Sequence, residues 1–201
     1  MHARFEALVT LASGEPSDDW GREHERHEQR AHAIQVWESG YIPGLFQTAD
    51  YARSMISATD VPMDVDKLLA RRLDRQQILT RDNPPQVWAL IDAGILMRPT
   101  DNPSIMRGQL AHLLELTELP NVTIRVVPQD VPLHQGLDGA FKIFKFTGAL
   151  PLGYTEAAFG WRLVSDPSEV DLFALRWERL SALALPVSAS KATIREHMET
   201  M

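Results

Sequence analysis

The chain has 201 residues, of which 44% are hydrophobic and 23% charged, enough for one large domain or for a domain with a flanking arm. It contains no cysteine, which excludes disulfides, thiolate nucleophiles and zinc sites built on thiolates. A formal charge of -7 disfavours nucleic-acid binding by the chain as a whole, and without a long apolar run we expect a soluble, cytoplasmic protein.

Helical patterns come first along the chain. Residues 1–12 have helical apolar spacing, and the break after them marks residues 1–20 as an arm or linker remnant before a single domain over residues 21–201. A helix is predicted from about Gly21 to about Trp37, with its early, charged part exposed. Its histidines and acids are more typical of a solvated helix face than of a metal site, so no metal is predicted.

The segment YIPGLFQTAD, residues 41–50, predicts a packed corner. The Pro-Gly pair at residues 43–44 favours a type II turn, because proline presets φ at the first central position and glycine accepts a positive φ at the second. Thr48 is the predicted N-cap of the next helix. We expect Leu45 and Phe46 to point inward and Gln47 to lie near the vertex of the corner.

Helix and strand patterns then alternate, and the predicted fold is α+β. It has N-terminal helices, a mainly antiparallel sheet of about four strands with an inserted helix, and closing C-terminal helices. The elements are a helix over about Met63 to Thr80, a strand over 86–92, a helix over 104–119 capped by Ser104, a strand over 121–128, a hairpin of strands over 140–146 and 152–159, a helix from Asp166 and a short final helix from Ser188.

Several ordered blocks carry a family resemblance, namely YIPGLFQTADYAR, RRLDRQQIL, VWALIDAGILMRP, MRGQLAHLLEL, NVTIRVVP, GAF and YTE. From about Trp20 to about Met198 the chain resembles the C-terminal domain of actinobacterial, antitoxin-like, WhiJ-like regulators. The resemblance implies an Xre-type helix-turn-helix before this domain, a role in transcriptional regulation and a small acidic partner protein encoded nearby. Residues 1–20 are too few for the helix-turn-helix, so we expect either a piece of a longer regulator or a version that stands alone.

The predicted site consists of polar residues beside apolar runs: Gln47, Arg71, Arg75, Gln76, His134, Tyr154 and Glu156. A polar network inside the core accounts for these residues about as well as a ligand does. For Glu156, pairing with an arginine is the favoured interpretation, with Arg71, Arg75 and Arg162 as possible partners. The loop over residues 128–139, which holds His134, is the best candidate for a binding loop.

The leading hypothesis is a noncatalytic domain that senses a ligand or partner for a bacterial transcriptional regulator. Its partner would be the small acidic protein or a small-molecule effector. DNA would be bound only through a helix-turn-helix outside this chain. A homodimer is a further possibility. The sequence has no GxSxG, GxGxxG or GxxxxGK[ST] motif, so no catalytic residue and no cofactor is predicted. Two alternatives are a small standalone enzyme of secondary metabolism and direct nucleic-acid binding through the basic segment from Lys67 to Arg81.

Overall fold

A six-stranded mixed sheet organises the part of the chain described by this computed structural model, residues 19–58, 64–157 and 160–201. Its strands are β1 (Ala33–Glu38), β2 (Gln86–Asp92), β3 (Val122–Val127), β4 (Phe141–Phe146), β5 (Ala149–Ala157) and β6 (Gly160–Val164). The order across the sheet is β3-β2-β1-β4-β5-β6. The pairs β3-β2 and β2-β1 are parallel, whereas β1-β4, β4-β5 and β5-β6 are antiparallel.

Seven α-helices surround this sheet within the described ranges. They are α1 (Asp19–Arg30), α2 (Ala49–Ser57), α3 (Val65–Gln76), α4 (Ala93–Leu96), α5 (Pro103–Leu116), α6 (Pro167–Leu183) and α7 (Val187–Glu199). Short 3-10 turns lie at Gly44–Phe46, Gln77–Leu79 and Gln135–Asp138. Over the residues that can be described, no helix combines the length and the apolar character needed to cross a membrane.

The two faces of the sheet bury different cores, because side chains alternate along each strand. On what we call the front face, Ile34, Phe144 and Tyr154 belong to the core that also contains Phe46 of the corner and Leu110 of α5. On the back face, a second core contains Trp37 and Ile143 of the sheet with Trp177 and Leu180 of α6. A residue's face therefore decides which helices it can contact.

The α+β class is confirmed, but the prediction of about four strands is wrong. The second half of the predicted helix over residues 21–37 forms β1, in the middle of the sheet. Its sequence AIQVWE mixes helix formers (Ala, Gln, Glu) with strand formers (Ile, Val, Trp). The strand pairs on both sides with partners far along the chain, and this pairing decides its structure. Strand β6 was not predicted either, while the β4-β5 hairpin is confirmed and turns at Gly148, where φ is +74°.

The other predicted elements are present with shifted ends. Asn102, not Ser104, caps α5: its side-chain oxygen accepts the Ser104 N–H at 3.0 Å. Pro103 occupies the first turn, where a missing N–H costs nothing. The final helix begins at Val187. The helix predicted over residues 1–12 lies outside the described residues.

Candidate functional site

The corner after β1 is a 3-10 turn, so the predicted type II turn is wrong. The Phe46 N–H donates to the Pro43 carbonyl at 2.8 Å, and Gly44 is not among the described residues with a positive φ. A Cβ at Gly44 would lie 3.0 Å from Nη2 of Arg75, so the glycine leaves room for this guanidinium. The inward packing of Leu45 and Phe46 and the Thr48 cap are both confirmed.

Two predicted site residues, Gln47 and Gln76, fasten this corner from within. Gln47 is only 2% exposed, and its Nε2 donates to the Ile42 carbonyl at 2.7 Å. Gln76 of α3 reaches across with Nε2 to the carbonyls of Gly44, at 3.0 Å, and of Gln47, at 2.8 Å. Both amides thus satisfy corner carbonyls that the turn leaves without backbone partners.

A third glutamine, Gln109 of α5, was missed by the sequence reasoning. It is fully buried; its Nε2 donates to the Phe46 carbonyl and its Oε1 accepts the Thr48 N–H, both at 2.7 Å. One signal was available, because Gln109 lies beside the apolar stripe that contains Met106, Leu110 and Leu113. A polar residue at a core position of a helix indicates a buried partner.

The side-chain oxygen of Gln47 is hydrogen-bonded to an arginine. Nη1 of Arg72, on α3, donates to Oε1 of Gln47 at 2.6 Å. Burial, followed by the charge of Arg75, lowers the pKa of Arg72 to about 10. Gln47 is therefore a fixed part of the corner, and a visiting molecule does not reach its amide.

Behind the corner, charged residues of α1 are buried against the front face. Glu28 is fully buried, and its Oε2 lies 2.8 Å from Nε of Arg75 in an ion pair not aligned as a hydrogen bond. His24 is 4% exposed, with its Nε2 3.0 Å from Nζ of Lys142. Burial and then the Lys142 charge hold the pKa of His24 well below its usual range, so the ring is neutral. The expectation of a solvated helix face is wrong here, because β4 and β5 cover this side of α1.

Tyr154 and Glu156, two positions apart on β5, form their own pair. The Tyr154 hydroxyl donates to Oε1 of Glu156 at 2.7 Å. Burial, followed by the Glu156 charge, raises the pKa of Tyr154 and keeps the phenol protonated. The predicted pairing of Glu156 with an arginine is wrong: Arg162 pairs with Glu169, Arg71 with Glu25 at 2.7 Å, and Arg75 with Glu28 at 2.8 Å.

His134 is not brought to the same place as the other predicted residues. Its ring meets Trp37 edge-on at a centroid distance of 5.7 Å, in the region of the back core. Its Nδ1 accepts the Gly136 N–H at 3.2 Å, and the Trp37 indole donates to the Gly136 carbonyl at 2.9 Å. The sheet therefore separates His134 from Tyr154, whose ring lies in the front core.

A groove of about 490 Å³ opens between α1 and α3, and we call it the arginine groove. It is lined by Glu25, Arg26, Gln29, Arg30, Arg71, Asp74 and Arg75. Four arginines and two carboxylates line it, and the buried Glu28 pairs with Arg75 from beneath, which leaves an excess of one positive charge in a chain whose formal charge is -7. Nη2 of Arg71 is buried and has no hydrogen-bond partner among the described residues.

The groove contains only part of the predicted set. Arg71 and Arg75 line it, whereas Gln47, Gln76 and Tyr154 lie in the layer beneath. Sequence reasoning missed the arginines of α1 because that helix was expected to be a simple solvated face. Within the described ranges, no group of three or more histidines and acids is placed to hold a metal ion.

Comparison with known proteins gives one family. A family model described as "Domain of unknown function (DUF5753)" matches residues 22–196, most of the chain. No curated protein matches the chain.

Proposed function

The chain belongs to the DUF5753 family, and we propose that it is a noncatalytic domain that senses a partner for a bacterial transcriptional regulator. The proposed binding surface is the arginine groove, and the proposed occupant is an acidic segment of a partner protein. The observation that carries the proposal is the excess of arginines at the groove, where Arg26 and Arg30 are exposed and the buried Nη2 of Arg71 has no hydrogen-bond partner among the described residues. The small acidic protein implied by the family resemblance has the complementary charge.

The chemistry of the groove supports an anionic occupant. Guanidinium groups bind carboxylates through paired, charge-assisted hydrogen bonds. Nε of Arg71 donates a hydrogen bond to Glu25, while its buried Nη2 has no hydrogen bond among the described residues. Leaving a buried donor without a partner costs free energy, and an incoming carboxylate would remove that cost.

Binding in the groove can change the position of α1 relative to α3. Its two walls are joined by the ion pairs of Arg71 with Glu25 and of Arg75 with Glu28. An acidic occupant competes with these carboxylates, so its affinity depends on how α1 sits against α3. A ligand shifts an equilibrium only through such a difference in affinity between two states.

The alternative of a small enzyme of secondary metabolism lacks comparable support. A catalytic tyrosine acting as a base needs a lowered pKa, whereas burial raises the pKa of Tyr154. Its hydrogen bond to Glu156 stabilises the protonated phenol. These two residues are better explained as a structural hydrogen bond between a buried tyrosine and an exposed carboxylate at the edge of the front core.

Titration calorimetry with the small acidic protein tests the proposal. We expect binding that weakens steeply as salt is raised, and an affinity about three- to tenfold lower for the double variant Arg26→Gln/Arg30→Gln. Both side chains are exposed, so the fold should tolerate the change. Arg107→Gln, an exposed charge on α5 outside the groove, is the matched control and should bind as the wild type does. Absence of binding at high micromolar concentration, or equal binding by the double variant, would rule the proposal out.

A further inference from the structure

A second cavity, of about 230 Å³, lies on the back face of the sheet beside α6. Gln35, Trp88 and Thr123 occupy facing positions on β1, β2 and β3 and line it together. Lys145 of β4 and Trp177 and Glu178 of α6 also line it. This cavity is separated from the arginine groove by the full thickness of the sheet.

Several polar groups that line the cavity have no hydrogen-bond partner among the described residues. Gln35 is 8% exposed, and its side-chain amide has no hydrogen bond with any described residue. The amide atoms are not fully enclosed by protein, so they open into the cavity that Gln35 lines. The indole N–H groups of Trp88 and Trp177 likewise have no partner within the described ranges.

Two opposite charges also line this cavity, Lys145 with a partly exposed side chain and Glu178 with an exposed one. Lys145 on β4 and Glu178 on α6 form no ion pair with each other, which places their charged atoms more than 4.0 Å apart. Neither forms a salt bridge with another described residue. Both side chains line the same cavity, so a ligand with one group of each sign can contact each of them from within it.

Arg125 also lines the cavity, but unlike Lys145 its side chain is held by hydrogen bonds within the protein. Its guanidinium donates to the carbonyls of Ser181, Ala184 and Leu185 at 3.0, 2.6 and 2.8 Å and to the Ser181 hydroxyl at 2.8 Å. These contacts satisfy the C-terminal end of α6 and fix its position over the sheet. Arg125 is thus fully engaged, in contrast to Lys145.

We propose that this cavity binds a small zwitterion with an apolar body, the chemistry of a free amino acid with an aromatic or aliphatic side chain. Lys145 binds the carboxylate, Glu178 binds the ammonium group, and the two indoles contact the body. The Gln35 amide, a donor and an acceptor, completes the polar contacts. The Gln35 side chain is only 8% exposed and has no hydrogen bond within the described ranges, so its amide gains a partner from this ligand. At about 230 Å³ the cavity is below the range typical of drug-sized ligands, roughly 300–1,000 Å³, which limits the ligand to a small molecule.

Intrinsic fluorescence of the full chain provides the test, because two of its five tryptophans line the cavity. The probe is L-phenylalanine, compared with phenethylamine, which lacks the carboxylate, and phenylacetate, which lacks the ammonium group. We expect a saturable change with L-phenylalanine and binding at least about tenfold weaker for each analogue. No saturable change at millimolar L-phenylalanine, or equal binding of either analogue, would overturn the proposal.

Charge variants assign each contact. Lys145→Met should weaken L-phenylalanine at least about tenfold yet leave phenethylamine unaffected, since that analogue has no group for the lysine. Glu178→Gln should show the reverse selectivity, with phenylacetate unaffected. Asp171→Asn, an exposed acid two turns earlier on α6, is the matched control and should bind as the wild type does. Equal losses for all three probes in the lysine variant would contradict the assigned contacts.

Gln35→Met separates a binding role from a structural one. The substitution removes an unpaired amide at nearly constant length, so Tm without ligand should stay the same or rise. Affinity for L-phenylalanine should nevertheless fall. A lowered Tm with unchanged affinity would show that Gln35 serves the fold, and the site would lose its polar anchor.

Discussion

Replacing Gln109 by methionine should destabilise the protein far more than an ordinary glutamine substitution. The change keeps the length of the side chain but removes two hydrogen bonds at once, to the Phe46 carbonyl and from the Thr48 N–H. Both partners belong to the corner. The free energy of unfolding therefore reports directly on how this amide holds the corner.

The magnitude follows from the two groups left without partners. Each unsatisfied buried group costs about 1–3 kcal/mol. Phe46 is completely buried, whereas Thr48 is partly exposed and water can reach its N–H. We therefore expect a loss of about 2–4 kcal/mol, the lower part of the combined range. For a chain of this size each kcal/mol moves Tm by about 2–4 °C, which gives a drop of about 4–16 °C.

Urea unfolding followed by far-UV circular dichroism is the assay, with Gln77→Met as the matched control. Gln77 is exposed and its side chain has no hydrogen bond among the described residues, so its replacement should change stability by less than about 0.5 kcal/mol. If Gln109→Met also stayed within about 0.5 kcal/mol of the wild type, the assignment of the corner's stability to this amide would be refuted.

A companion variant, Gln109→Glu, adds a pH dependence of known sign. A protonated carboxyl can still donate to the Phe46 carbonyl, whereas an ionised one cannot. Burial and this bond raise the pKa of the new carboxyl in the folded state above its unfolded value. Its contribution is then complete at low pH and is lost as pH rises through the folded pKa, so the deficit against the wild type should grow with pH.

Three further predictions concern stability. Gly44→Ala places a Cβ 3.0 Å from Nη2 of Arg75, and because that guanidinium can shift, chemical denaturation should show a loss of only about 1 kcal/mol. Gly136→Ala places a Cβ 2.5 Å from the Trp37 indole, a rigid ring in the core, so calorimetry should show a larger loss, about 1–3 kcal/mol, with a changed tryptophan emission; an unchanged Tm would contradict the contact. Burial raises the pKa of Glu38 from 4.5 to about 7, so the wild type should lose stability as pH rises from about 4.5 to 7. The loss should be at most about 3 kcal/mol, and solvent screening of the partly exposed side chain makes it smaller. In urea titrations at several pH values, Glu38→Gln should remove this pH dependence of stability.

The candidate site shows which residue roles a sequence can indicate. Polar residues beside apolar runs were predicted to bind a ligand or to form a network inside the core, and Gln47 and Gln76 form such a network. Their partners were not predictable, because Gln76 meets the corner carbonyls across 29 to 32 positions of chain. Gln109 acts across 61 to 63 positions, and its helix gave no indication of which carbonyl it would meet.

The amino-acid sequence by itself determined the elements whose periodicity is local. It indicated α3, α5 and α6, the strands β2 to β5, the hairpin and the inward packing of the corner, because apolar spacing and capping residues act over a few positions. Only the tertiary structure decided that AIQVWE is the strand β1 and that His134 and Tyr154 lie on opposite faces. Both facts depend on pairing between distant strands, because the local propensities of a six-residue segment with mixed preference do not decide its structure.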